Sequence, residues 1–193
     1  MSLPDRRRAI GVLLLVLAIG PLEAARQKPR ANPDAAAIAD FTKRVEAYAQ
    51  LHKKLEDTLP KLPKEATPQQ IDQHQRALQR LVQENRADAK PGDLFTPQMQ
   101  RLVRRLMRQV FVGKGGDQLK KEIFEEYHEE AVVPLKINGR YPDAVPLSTV
   151  PPQVLKGLPK LPEEIEYRFL GDRLILLDPH AHLIADYVER VIP

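Results

Sequence analysis

Between Ile38 and Leu59 apolar side chains recur every three or four positions, as Ile38, Phe41, Val45, Tyr48, Leu55 and Leu59, with His52 in the same series. That spacing lays one apolar stripe along an α-helix. Asn32-Pro33-Asp34 supplies a cap residue and a proline at the first turn, and the run from Pro60 to Lys64 ends the pattern. Thr67-Pro68-Gln69-Gln70 opens a second helix with a capping-box pattern. Its stripe is Ile71, His74, Leu78, Leu81 and Asn85, fading towards Ala89. A short linker favours an antiparallel pair. With Leu55 opposite Ile71, the register sets His52 against His74, Tyr48 against Leu78, Val45 against Leu81 and Phe41 against Asn85.

After a turn at Pro91-Gly92-Asp93, Thr96 caps a third helix with Pro97 in its first turn. Met99, Leu102, Val103, Leu106 and Val110 form its expected buried face, and Arg101, Arg104, Arg105 and Arg108 lie opposite. Gly113-Lys114-Gly115-Gly116 closes it. Asp117 is expected to cap a fourth helix with Leu119, Ile123, Phe124 and Tyr127 inward and an acidic row of Glu122, Glu125 and Glu129.

Beyond Val132 the pattern changes. Val133 to Ile137 alternates, and Asn138-Gly139 marks a tight turn. Pro142 to Pro162 reads as an irregular proline-rich connector with one short helix near Pro151–Gly157. Glu166–Leu170, Gly171-Asp172 and Arg173–Leu177 form a β-hairpin pattern. Asp178-Pro179 then opens a final helix, with Leu183, Ile184, Tyr187, Val188 and Val191 as its apolar side. The expected fold is α+β, mainly α: antiparallel helical hairpins followed by a small C-terminal β-hairpin plus helix. The helical domain spans 34–131, and 132–193 holds the connector and the C-terminal unit.

The N-terminus is organised differently. Arg6-Arg7-Arg8 precedes an apolar stretch from Ala9 to Ile19, broken by Gly20-Pro21. Spanning a bilayer takes about 20 apolar residues, so this run is too short and reads as a secretory signal over 1–24, with cleavage after Ala24. Retention of the same segment as an anchor is the alternative. Residues 25–33 form a flexible basic arm. The expected compartment is periplasmic or extracellular, and no later segment is apolar enough to cross a membrane. Cysteine is absent, which excludes disulfides, thiolate metal sites and a cysteine nucleophile. The net charge of +4 is too mild to argue for nucleic acid.

Three stretches carry a family resemblance: Ala89–Pro97 (AKPGDLFTP), Leu158–Pro162 (LPKLP), and the ending Glu166–Gly171 with Leu174–Asp178 and Leu183–Asp186. Over most of the chain beyond the signal, the sequence resembles a family of uncharacterised exported (secreted or periplasmic) bacterial proteins with no assigned activity. The resemblance implies export and a mostly helical body with a small C-terminal β element, and implies no reaction.

No recognisable catalytic constellation stands out. Serine occurs only at Ser2 and Ser148, and Ser148 has no nucleophile-elbow pattern. Glu125-Glu126-Tyr127-His128 holds a single Glu-x-x-His, where di-iron bundles need two. The glycine-rich Gly113–Gly116 lacks the Lys-Ser/Thr pair of a phosphate loop. The arginine row suits a solvated face or an anionic membrane surface. The sharpest chemistry is histidine. His52 and His74 face each other in the hairpin register, with Glu56 and Gln70 as polar neighbours. His180 and His182, with Asp178 and Asp186, form a second group. Either set suits a transition metal, and neither spacing alone completes a site. The leading expectation is a non-enzymatic envelope protein that binds a partner, such as another envelope protein or an anionic membrane surface, or has a structural role. A metal-binding protein or metal-dependent enzyme is the alternative.

Overall fold

The computed structural model describes residues 32–126 and 135–193. The signal at 1–24, residues 25–31 of the basic arm, and Tyr127, His128 and Glu129 lie outside the described residues, as do Val133 and Pro134. The chain is α+β and mainly helical. The helices are α1 (Pro33–Glu56), α2 (Pro68–Asn85), α3 (Pro97–Val112), α4 (Gly116–Glu126) and the short α5 (Pro152–Leu155). The strands are β1 (Gly139–Arg140), β2 (Glu166–Leu170), β3 (Arg173–Asp178) and β4 (Leu183–Val188).

Each long helix starts where local chemistry dictates. The Asn32 side chain accepts from Asp34 N at 3.0 Å. The capping box at α2 is complete, with Gln70 N donating to Thr67 Oγ1 at 3.3 Å and Thr67 N donating to Gln70 Oε1 at 2.8 Å. Thr96 Oγ1 accepts from Met99 N. The glycine-rich segment between α3 and α4 is a tight turn. A Cβ at Gly116 would lie 2.1 Å from the Phe111 carbonyl oxygen, so only glycine lets the two backbones approach. Helix α4 begins at Gly116, so Asp117 sits in its first turn and is not its cap.

Two stripes are rotated from their expected positions. In α2 the fully buried residues are Leu78 and Val82, while Ile71 and Asn85 are exposed. In α3 the buried face is Met99, Leu102, Val103, Met107 and Phe111, with Leu106 and Val110 half-buried. The cause is a second neighbour. Helix α2 serves both α1 and the sheet, and its Gln83 and Arg86 reach Asn138. Phe41, expected opposite Asn85, instead stacks on Phe95 with ring centroids 5.1 Å apart. Phe124 of α4, expected inward, is exposed.

The strands form one antiparallel sheet in the order β1-β4-β3-β2. The β2–β3 hairpin is as expected, with Glu166 opposite Leu177 and Leu170 opposite Arg173. The final helix is not formed. Its residues make β4, which pairs with β3 through a bulge at Leu176/Leu177. Both faces of the sheet are covered. Tyr167, Phe169, Leu174, Leu176, Leu183 and Ala185 join the helices in the main core. Leu170, Ile175, Leu177 and Ile184 pack with Tyr141 on the other side. A strand buried on both faces reads as a continuous apolar run, so its period of two is erased. Asn138 does sit in a tight turn, at φ 57°, but the strand it leads into pairs with β4.

Replacing Phe95, which is fully buried, by Ala is expected to cost about 3–5 kcal/mol and lower the melting temperature by about 10 °C. Phe124→Ala on the exposed side of α4 is expected to change stability by less than about 0.5 kcal/mol. Thermal unfolding followed by far-UV circular dichroism compares the two.

Candidate metal centre

Asp178 ends β3 with its carboxylate fully buried. A buried charge of this kind persists only if its lone pairs are filled. Three donors fill them. Ala181 N donates to Oδ1 at 2.8 Å, so the turn after β3 closes on its own aspartate, the capping bond expected of a helix here serving a strand end. Tyr48 Oη donates to Oδ2 at 2.7 Å, and His52 Nδ1–H donates to the same oxygen at 2.6 Å. Tyr48 and His52 are one turn apart on α1, so both reach one carboxylate.

That bond orients His52. With Nδ1 donating to a carboxylate, Nε2 points the opposite way, the arrangement that carboxylates impose on metal-ligating histidines. Nε2 lies 3.2 Å from Glu56 Oε2, one turn further along α1. Glu56 Oε1 lies 3.1 Å from Nδ1 of His180, in the β3–β4 turn. It also lies 3.6 Å from Nε2 of His74 on α2. The rings of His52 and His180 are 5.4 Å apart at 58°. One donor atom each from His52, Glu56 and His180 lie within 4.8 Å of one another. Metal–nitrogen and metal–oxygen bonds near 2.0–2.2 Å in a tetrahedral array set the donors roughly 3.4 Å apart. The carboxylate–imidazole separations are already close to that, so small side-chain rotations would complete a site.

Burial grades across the cluster. His52 is fully buried, Glu56 is half-buried, and His180 is exposed. Burial alone depresses the His52 pKa, but the hydrogen bond and charge of Asp178, then Glu56, outweigh it and hold the imidazole above its ordinary value. The same atom, Nε2, can therefore carry a proton shared with Glu56 or a metal.

The six residues singled out from the sequence separate into three places. His52, His74 and His180 converge on Glu56, and Asp178 supports them from behind. His182 is not with them. Its Nε2 is 3.3 Å from Asp143 Oδ1 and its ring stands edge-on to Tyr141. Burial and the Arg140 guanidinium lower its pKa. Asp186 is also elsewhere, fully buried, accepting from Gly92 N, Leu94 N, Phe95 N and Tyr187 N. Burial raises its pKa against the pull of those four donors. Glu56, which the sequence offers only as a polar neighbour of His52 and His74, is the carboxylate on which the three histidines converge. The signal was present, since His52 and Glu56 are four apart on one helix face. Ser148 is structural: its hydroxyl donates to Phe169 O at 2.5 Å and accepts from Phe169 N at 3.0 Å, closing the edge of β2. The arginine row is exposed at Arg101, Arg105 and Arg108. Arg105 pairs with Asp34 and Arg104 reaches Glu189 O.

The chain matches no protein-family model, no curated protein and no solved structure.

Asp178→Asn is expected to lower the His52 pKa, read from its ring signals in an NMR pH titration. In the metal-free protein, His52 contributes stability that is fully present below its ordinary value near about 6.5 and is lost as pH rises through its raised folded value. Asp178→Asn is expected to flatten that part of the pH–stability profile.

Proposed function

We propose that this is an exported protein that binds a divalent transition metal at His52, Glu56 and His180, with His74 within reach as a further ligand. One observation carries the reading. Two imidazoles and a carboxylate from α1 and the β3–β4 turn bring their donor atoms within 4.8 Å, and the most buried imidazole is oriented from behind by Asp178. Nitrogen and oxygen donors without thiolate suit zinc, copper(II) or nickel. The exposed side of His180 leaves the centre open to solvent, so a loaded ion can exchange or take an outside ligand. Export rests on the cationic head and short apolar run of residues 6–19. Among the described residues no helix is long and apolar enough to cross a membrane.

Untagged, metal-free protein titrated calorimetrically with zinc is expected to take up one equivalent. His52→Ala and His180→Ala are each expected to weaken binding at least about 10-fold, and Asp178→Asn by about 10–100-fold. His182→Ala is expected to leave it unchanged. Affinity should rise with pH through the raised pKa of His52, because a proton must leave Nε2 before the metal binds. Absence of uptake, or uptake insensitive to His52 and His180, overturns the reading.

A further inference from the structure

A second cavity lies away from the histidines, where the C-terminal turn of α2 meets residues 135–138 and β4. It encloses about 530 Å³, within the range of small-molecule sites. Its polar wall is Arg86, Lys136, Gln83, Asn138 and Tyr187, and its apolar wall includes Leu135. No carboxylate lines it among the described residues.

Arg86 is the unusual element. Burial pushes its guanidinium pKa down, against the opposing pull of the Tyr48 side chain and the charges of Asp186, Asp93 and Asp178, and among the described residues none of these carboxylates pairs with it directly. All of its polar partners among the described residues are neutral. Nη1 donates to Asn138 Oδ1 at 2.6 Å, Nη1 and Nη2 lie 3.4 Å from Ala185 O, and the guanidinium carbon sits 4.8 Å from the centre of the Tyr48 ring. A largely desolvated cation whose direct hydrogen bonds go only to neutral groups retains affinity for an anion. It is also held in place. Asn138 Nδ2 donates to Arg86 O, Asn138 N donates to Ile184 O, and Gln83 Nε2 donates to Asn138 O. The guanidinium is thereby oriented before any ligand arrives, and Lys136 adds a second positive charge at the wall.

A purely architectural arginine would explain the clamp between α2 and the sheet. It would not explain why Lys136, Tyr187 and an apolar wall border the same space. A planar guanidinium matches a carboxylate in bidentate fashion. An apolar wall beside it suits a hydrocarbon remainder. We propose that this cavity binds a small organic carboxylate, its charged end at Arg86 and Lys136 and its apolar part against Leu135.

The test uses the full mature chain with sodium acetate, hexanoate and benzoate at constant ionic strength. Sodium chloride, benzamide and inorganic phosphate serve as controls. At saturating concentration, hexanoate or benzoate is expected to raise the melting temperature by about 3 °C or more, with the neutral benzamide inert. Amide shifts in an NMR titration should concentrate at Arg86, Ile137, Asn138 and Tyr187. Arg86→Gln should abolish binding. Because that variant also loses the clamp, Lys136→Gln at an exposed position provides the independent check, with affinity lowered about 5-fold or more in a protein of unchanged stability. Equal effects of benzoate and benzamide, shifts confined to other residues, indifference to Lys136→Gln, or no response to any of the three carboxylates overturns the proposal. Preference for phosphate overturns the carboxylate assignment.

Discussion

The carboxylate of Asp178 is the constraint on which the rest of the molecule depends. It is fully buried, and it lies between the strand it ends and the longest helix. An unpaired charge there would cost several kcal/mol, so its donors must be in place for the fold to close. Those donors come from three points: the Ala181 amide, the Tyr48 hydroxyl and the His52 ring. Satisfying one carboxylate thus seats the β3–β4 turn on α1. It also brings His180 beside Glu56, more than a hundred residues away in the chain. The candidate centre follows from a folding requirement, because the group that anchors the turn is the group that aims His52.

A second buried aspartate, within β4 opposite Leu176, does similar work. Asp186 gathers the amides of Gly92, Leu94 and Phe95 and so fastens the loop between α2 and α3 to β4. Phe95, delivered by that loop, stacks on Phe41 and closes the core. Arg86 feels the charge of both aspartates, and the Tyr48 ring lies against its guanidinium. Apolar packing supplies most of the burial, but these polar anchors decide which helix meets which strand. Leucine and valine contacts alone would tolerate several registers.

This division explains what could be read from the chain and what could not. Helix starts were legible because capping is local: Asn32, Thr67 and Thr96 act within three residues of themselves. The β2–β3 hairpin was legible because Gly171, at φ 60°, sits between two runs rich in β-formers. The last segment was misread because burial on both sheet faces makes Leu183, Ile184 and Ala185 consecutive core residues, and that run fits an amphipathic helix as well as a strand. The stripes of α2 and α3 were rotated for a related reason. A helix that touches two partners has no single apolar face, and its periodicity reports neither partner alone. At the centre, the histidines on α1 and α2 could be paired from the hairpin, and Glu56 from its spacing to His52. The arrival of His180 depended on the long-range bond of Asp178, and no local pattern encodes that. His182 fell away because it is two residues on, in a turn where Tyr141 and Asp143 claim it.

The pull on His52 from both sides bears on how the centre works. An imidazole buried between two carboxylates is stable when it carries a positive charge, and a proton meets that need in the metal-free state. A divalent ion on Nε2, as proposed, would meet it differently: the ring would be neutral, and the ion itself would balance Glu56 and, through the ring, Asp178. Asp178 holds α1 and the β3–β4 turn through bonds to Tyr48, His52 Nδ1 and Ala181, none of which involves Nε2. Exchange of proton for metal at Nε2 would therefore leave those bonds in place. The exposed ring of His180 and the half-buried His74 are the candidate ligands nearest solvent, so adjustment to an ion would fall to them first. Such a centre would be fixed at its buried end by Asp178 and open to solvent at His180, an arrangement that suits a protein that takes up an ion and also releases it.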